Sequence, residues 1–233
     1  DDIIATVSYH LNLIDGIGET DEIDNLSMRR VATSGELLKN TFRSGMTKLQ
    51  TQVRESLQSR DLTDITPSQI VNARHINKVF KEFMATSQLS ALMDQINPAA
   101  SLRHKRRLSS FGPGGVKKER ATVEVRDINP SHYGRICLVE TPEGQPIGLM
   151  TSLAAYARVN RYGFIEAPYR PVNKETGEVL NEIIYMTADT EDKYVVAQAN
   201  EPLDENNFFM NDVILLTTPL VEGMPIEKYY GLR

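Results

Sequence analysis

Residues 104–120, HKRRLSSFGPGGVKKER, divide the chain into two stretches that read differently. Upstream, apolar residues recur every three or four positions. Downstream, short apolar runs sit between turns rich in Asn, Gly, Asp and Pro. That change of period predicts an α+β chain: a helical first half, a loop-rich basic centre and a β-rich C-terminal third.

Working upstream, Ile3, Ile4, Val7, Leu11 and Ile14 predict a helix over 2–14, ended by Asp15-Gly16-Ile17-Gly18. Leu38, Phe42, Met46, Leu49, Val53 and Leu57 form one stripe of a long helix over about 35–58, with Ser34 as N-cap. Thr66-Pro67-Ser68-Gln69 is a capping box with proline at the first helical position. It predicts one helix running to about residue 84, with Ile76, Val79, Phe80, Phe83 and Met84 inward. A short helix over about 88–94 follows, stopped by Asn97-Pro98. Working downstream, Ala121, Val123 and Val125 alternate with Thr122, Glu124 and Arg126, which predicts a strand. The apolar stretch 147–157 reads as a helix, and strands are expected at 162–169, 183–187, 193–198 and 208–217.

The bulk composition narrows the function classes. A length of 233 residues suits one or two domains, and 40% hydrophobic with 24% charged residues is ordinary globular composition. No apolar run approaches the roughly 18 residues of a membrane helix, so no membrane is expected as a partner. The lone Cys137 excludes an internal disulfide and fits a reducing cytoplasm. His10, His75, His104 and His132 lack ligand spacing, so no metal site is expected. The chain opens on Asp1-Asp2 with no initiating Met, inside what reads as an element, which suggests a piece of something longer.

A net charge of −5 conceals an uneven distribution. Residues 1–25 carry seven acids and no Lys or Arg, and residues 171–233 carry twelve acids against four bases. Residues 101–120 carry seven Lys or Arg and one acid. Such an island is either a solvated loop or a local field that selects polyanions. His104-Lys105-Arg106-Arg107, with Lys117, Lys118 and Arg120 beyond the glycines, suits phosphate-backbone contacts. Glycine lets a backbone approach a ligand closely. Phe111 is the one aromatic in 101–120, which argues against a base-stacking platform, and no Gly-Lys-Ser/Thr ending makes the loop a nucleotide-binding one. Asp127, Glu140 and Glu143 are read as salt-bridge partners of Arg126 or Arg135, and no Asp-rich metal loop is present.

Four stretches, SQLSALMDQINP (87–98), HKRRLSSFGPGG (104–115), HYGR (132–135) and ETPEG (140–144), resemble the β subunit of bacterial multisubunit RNA polymerases. A looser likeness covers 1–213. The resemblance implies a fragment of a larger multidomain subunit: 1–66 as the helical end of the protrusion, 67–148 as the fork with its rifamycin pocket, and 149–214 as the start of the external domain. Residues 215–233 match nothing in it. It implies a wall of the RNA–DNA hybrid channel in DNA-templated transcription, within a nucleotidyltransferase to which this chain brings no catalytic residue. The nucleic-acid-facing set would be Gln88, His104, Arg106, Arg107, Lys117, Lys118 and Arg120. The rifamycin set would be Gln88, Leu89, Ser90, Asp94, His104, Arg107, Ser109, Pro142 and Met150. Asp94 is read as orienting the basic residues. The implied partners are β′, α, the rest of β, DNA template and RNA transcript. No cofactor is expected on this chain, and Mg²⁺ would be held by another subunit. The alternative is a stand-alone or split β-like fragment that binds nucleic acid or polymerase subunits without catalysis. Ala91 stands where the family usually has Gln, Gln145-Pro146 replaces Pro-Asn, and Cys137-Leu138 replaces Cys-Pro. The first two departures imply reduced affinity for rifamycin-class inhibitors.

Overall fold

The computed structural model describes residues 1–18, 20–59, 66–117, 120–173, 175–211, 214 and 229–232. The described helices are α1 (Asp2–Ile14), α2 (Ser34–Ser59), α3 (Pro67–Ile70), α4 (Arg74–Thr86), α5 (Pro98–Lys105) and α6 (Ala188–Glu191). The described strands are β1 (Arg107–Ser109), β2 (Met150–Ser152), β3 (Arg158–Val159), β4 (Ile165–Pro171), β5 (Ile184–Met186), β6 (Val195–Ala197) and β7 (Tyr229–Leu232). Mixed helices and small sheets agree with the α+β reading. They fall into two compact units: Asp1–Arg30 with Ile128–Arg135 and Tyr156–Arg233, and Val31–Asp127 with Ile136–Ala155.

In the unit containing the basic centre, α2 packs on α4. Leu49 and Gly45 of α2 are buried, and Phe42 meets Phe80 with ring centroids 6.4 Å apart. A Cβ at Gly45 would lie 3.4 Å from Ile76 Cα, so the missing side chain lets the two backbones close. The helix expected from 67 to 84 is interrupted instead, and Met84, expected on its inward face, is exposed. Val71 is extended, and the Asn72 carboxamide accepts from Arg74 N–H at 3.0 Å, capping a new helix where the old one ends. The capping box at Thr66 and Gln69 is present as expected.

No helix forms over 88–94. Serines terminate α4: Ser90 Oγ donates to Met84 O at 2.7 Å, and Ser87 Oγ accepts from Leu89 N–H. Asn97-Pro98 starts a helix rather than stopping one. Asn97 Oδ1 accepts from Ala100 N–H at 2.7 Å and Pro98 opens α5, where its missing N–H is no loss. Two further expectations are corrected. Residues 121–126 are not a strand: Glu124–Arg126 is a 3-10 turn closed by Arg126 N–H on Val123 O, and Val123 is exposed. Alternation had no neighbouring strand to pair with. Residues 147–157 are not a helix, because Gly148 takes φ +71° and turns the chain into β2. β2 then pairs antiparallel with β1, Ser109 opposite Met150 and Arg107 opposite Ser152.

The other unit holds the larger sheet, ordered β3-β4-β7-β6 with β5 also on β4. β6 and β7 run parallel; the remaining pairs are antiparallel. Ala167, Tyr169, Met186 and Val196 form its core. Strands expected at 162–169, 183–187 and 193–198 correspond to β4, β5 and β6. Half of the expected 208–217 strand falls outside the described residues; Phe208 and Phe209 make only isolated bridges. β7 had no sequence expectation. α1 forms as expected but has no buried residue.

HYGR supplies this unit's buried charge. The Arg135 guanidinium is fully buried and donates to Ile165 O, Ser131 O and Met186 O at 3.0–3.2 Å. It pairs with Glu191 on α6. The expected pairing of Arg135 with Asp127, Glu140 or Glu143 gives way to this partner much further along the chain. Burial pushes the Tyr169 phenol up from its ordinary value.

Candidate nucleic-acid interface

The site grows from the C-terminal turn of α5. Arg103, His104 and Lys105 stand there, where the helix dipole favours cations. The chain then enters β1, whose alternation keeps Arg107 and Ser109 exposed on one face. Asp94, Arg103, His104, Arg107 and Glu140 line a cavity of about 250 Å³. Ala91, Leu92 and Ser152 complete its wall.

His104 is oriented by the backbone of Asp94. Its Nδ1 accepts from Asp94 N–H at 2.9 Å, so the neutral ring carries its hydrogen on Nε2. Ser101 Oγ donates to Asp94 O at 2.8 Å, and the Asp94 carboxylate accepts from Ile96 N–H at 3.2 Å. Asp94 thus orients His104 through its amide, while its carboxylate shapes its own loop. Arg103 and Glu140 pair at 3.5 Å with both side chains substantially exposed; such pairs contribute little to stability.

The neighbouring arginines separate. Arg106 Nη2 donates to Ala154 O at 2.5 Å and Ala155 O at 3.3 Å, tying the end of α5 to the turn after β2. Arg107 faces the cavity. The glycine loop closes on its own chain. A Cβ at Gly112 would lie 2.8 Å from Leu89 Cδ1, and one at Gly115 would lie 2.3 Å from Ser110 O. These glycines are needed for packing of the loop itself.

Of the expected residues, the cavity brings together Asp94, His104 and Arg107. Gln88 and Ser90 are exposed beside the α4 terminus, and Leu89 packs on Gly112. Ser109 and Met150 face each other in the β1–β2 register. Pro142 is half-buried, and Lys117 and Arg120 are exposed; Lys118 lies outside the described residues. Sequence reasoning missed Arg103, Glu140 and Ser152 as cavity residues. Arg103 sits one residue before the basic run that was singled out, and Glu140 opens the ETPEG stretch, so both lay next to a signal. Among the described residues no three His, Cys, Asp or Glu side chains gather to hold a metal ion. No described helix is long and apolar enough to cross a membrane.

Comparison with known proteins identifies the family. Residues 91–159 match the family model for RNA polymerase Rpb2, domain 3, and residues 169–217 match that for the RNA polymerase beta subunit external 1 domain. The chain is 54% identical over 214 residues to the DNA-directed RNA polymerase subunit beta of Enterococcus faecium, covering 92% of this chain and 18% of that protein. The subunit of the same name from Geobacillus thermodenitrificans is also 54% identical, and that from Staphylococcus aureus 55%, with the same coverage. The chain therefore spans 18% of the length of the relatives it matches. It belongs to the β-subunit family of bacterial DNA-directed RNA polymerases.

Proposed function

We propose that this chain forms part of the wall of the RNA–DNA hybrid channel in a DNA-directed RNA polymerase. The observation that carries the reading is convergence. Asp94, His104 and Arg107 come from a loop, a helix end and a strand, and they meet at one cavity. Arg107 supplies a forked donor for phosphate, and His104 supplies a donor fixed in direction. Lys117 and Arg120 extend the cationic surface without sequence readout, with Lys118 and Arg106 as further contributors. Gln88 and Ser109 fall on the same transcript-facing wall in this reading.

In it, residues 1–66 serve as protrusion, 67–148 as fork and 149–214 as external domain. The partners are β′, α and the rest of β, with DNA template and RNA transcript, in the cytoplasm. In this reading Mg²⁺ is held by another subunit, and this chain brings no catalytic residue to it. Templated nucleotide addition is then a property of the assembled enzyme, not of this chain alone.

Gln88, Leu89, Ser90, Asp94, His104, Arg107, Ser109, Pro142 and Met150 would form the rifamycin pocket. Ala91 lines the cavity where a Gln side chain is usual, and Pro146 replaces an Asn. Each lost hydrogen bond costs on the order of 0.5–1.5 kcal/mol, so the two together weaken inhibitor binding roughly ten- to hundred-fold. The test grafts residues 87–150 into a rifamycin-sensitive polymerase and titrates the drug during transcription. The expected result is an active enzyme with reduced sensitivity that Ala91→Gln and Pro146→Asn restore. An inactive graft contradicts the wall assignment. Full sensitivity, or no effect of restoration, contradicts the pocket assignment.

A further inference from the structure

We propose that Arg126 is a positioning residue that clamps the 141–150 loop and so fixes how it stands against β1. The proposal rests on the channel-wall reading for its functional consequence, and on geometry alone for its structural one.

Arg126 closes the 3-10 turn 124–126, where sequence reading placed a strand and a carboxylate partner. Its Nη1 instead donates to two carbonyls, Gln145 O at 2.6 Å and Ile147 O at 2.8 Å. Those residues bracket Pro146, whose carbonyl accepts from Leu149 N–H at 3.0 Å and Met150 N–H at 3.3 Å. Thr141 Oγ1 accepts from Gly148 N–H at 2.9 Å and donates to Met150 O at 3.0 Å, closing the loop across its base. Gly148 seats the loop directly on the Arg126 backbone. A Cβ there would lie 2.4 Å from Arg126 O and 2.6 Å from Arg126 Cα, and φ is +71°. The guanidinium grips the loop from one side, and the close backbone contact fixes its height.

The clamp matters because of what the loop carries. Pro142 lies in it, and Met150 leaves it into β2 opposite Ser109. Leu149 O accepts from Ser110 N–H at 2.8 Å, joining the same loop to the chain that follows Arg107. Arg126 therefore sets how Pro142 and Met150 stand against β1, without itself lining the cavity. A charged donor shared by two carbonyls is a strong form of hydrogen bond. Lys at this position keeps the charge but lacks the planar fork.

The experiment uses the full chain with Arg126→Met, Arg126→Lys and Gly148→Ala. Hydrogen exchange is read at the Gly148, Leu149 and Met150 amides, with the Cys137 amide, bonded to Ser152 O at 2.9 Å, as internal control. Arg126→Met should speed exchange in the loop roughly tenfold relative to Cys137, and Arg126→Lys should recover only part of the protection. Gly148→Ala should reproduce the loosening with the guanidinium intact. The functional arm measures affinity for a short RNA–DNA hybrid in a double-mutant cycle of Arg126→Met with Arg107→Ala. Coupling is expected, with Arg107→Ala costing less once the clamp that seats the loop against β1 is gone. Unchanged loop exchange, full rescue by Lys, or strict additivity would each overturn the proposal. If the unmutated chain binds no hybrid, the channel-wall reading fails and loop exchange alone decides the clamp.

Discussion

HKRR and HYGR are both short basic motifs, and the fold uses them in opposite ways. Arg135 of HYGR is sealed inside the larger sheet unit, where three carbonyls and Glu191 occupy its donors. Arg107 of HKRR is exposed on a two-strand edge, facing a cavity it shares with His104 and Arg103. Arg106, one residue away, is intermediate: half-buried and bonded to two carbonyls. A buried arginine must have its partners in place before it is desolvated, and so it organises structure. An exposed arginine keeps donors for a ligand. Charge composition alone does not separate the two uses; the fold around each residue does.

The largest effect expected from this contrast is at Arg135. Arg135→Met alone strands the Glu191 carboxylate, and Glu191→Ala strands the guanidinium. Either should cost about 3–5 kcal/mol in denaturant unfolding, whereas a paired apolar replacement of both recovers much of it. Arg107→Ala, at the exposed motif, should stay within about 0.5 kcal/mol of the parent. Comparable losses at Arg135 and Arg107 would break the comparison.

A smaller effect is expected from the histidine of HYGR. His132 is buried, and burial first, then the charge of Arg29, holds its pKa below 6.5, with Asp24 acting in the opposite direction. The unfolded chain therefore binds the proton more readily than the folded one. The stabilisation from neutral His132 is complete above the unfolded value and is lost as pH falls through the lower folded value. The slope is at most about 1.4 kcal/mol per pH unit for one proton. Unfolding measured across this range should show that slope, and His132→Gln should flatten it. An identical profile in the variant would assign the acid sensitivity to other groups.

What was legible in the sequence follows from how local each signal is. The α2 helix and the Thr66 capping box need only neighbours within a turn or two, and both formed, although Phe42, Met46 and Leu57 of the α2 stripe stay exposed while Leu49 is buried. Asn97-Pro98 is ambiguous locally, since the same pair can end one helix or begin another; the free amide of Ala100 decided it. The alternation at 121–126 was real but had no pairing strand, so a turn closed instead. Arg135 could not be matched with Glu191, because nothing near either residue marks a pairing that the sheet itself creates. At the site, the basic run and Asp94 were visible as residue types. The division of labour between Arg106 and Arg107 was not, because it depends on the carbonyls of Ala154 and Ala155 arriving from the far side of β2.

If the basic centre meets nucleic-acid phosphates, its binding of an RNA–DNA hybrid must weaken steeply with salt. Affinity of the full chain for a short RNA–DNA hybrid would be measured over a range of salt concentrations. The measurement would be repeated with Arg106, Arg107, Lys117 and Lys118 changed together to Ala, and with Arg106 and Arg107 changed singly. The parent should bind weakly, because the acidic stretches at both ends oppose approach. The salt slope should fall by up to about four phosphate equivalents in the quadruple variant, with a larger share from Arg107 than from Arg106. A slope unchanged by all four substitutions, or a parent chain that does not bind the hybrid at low salt, would place the phosphate contacts elsewhere.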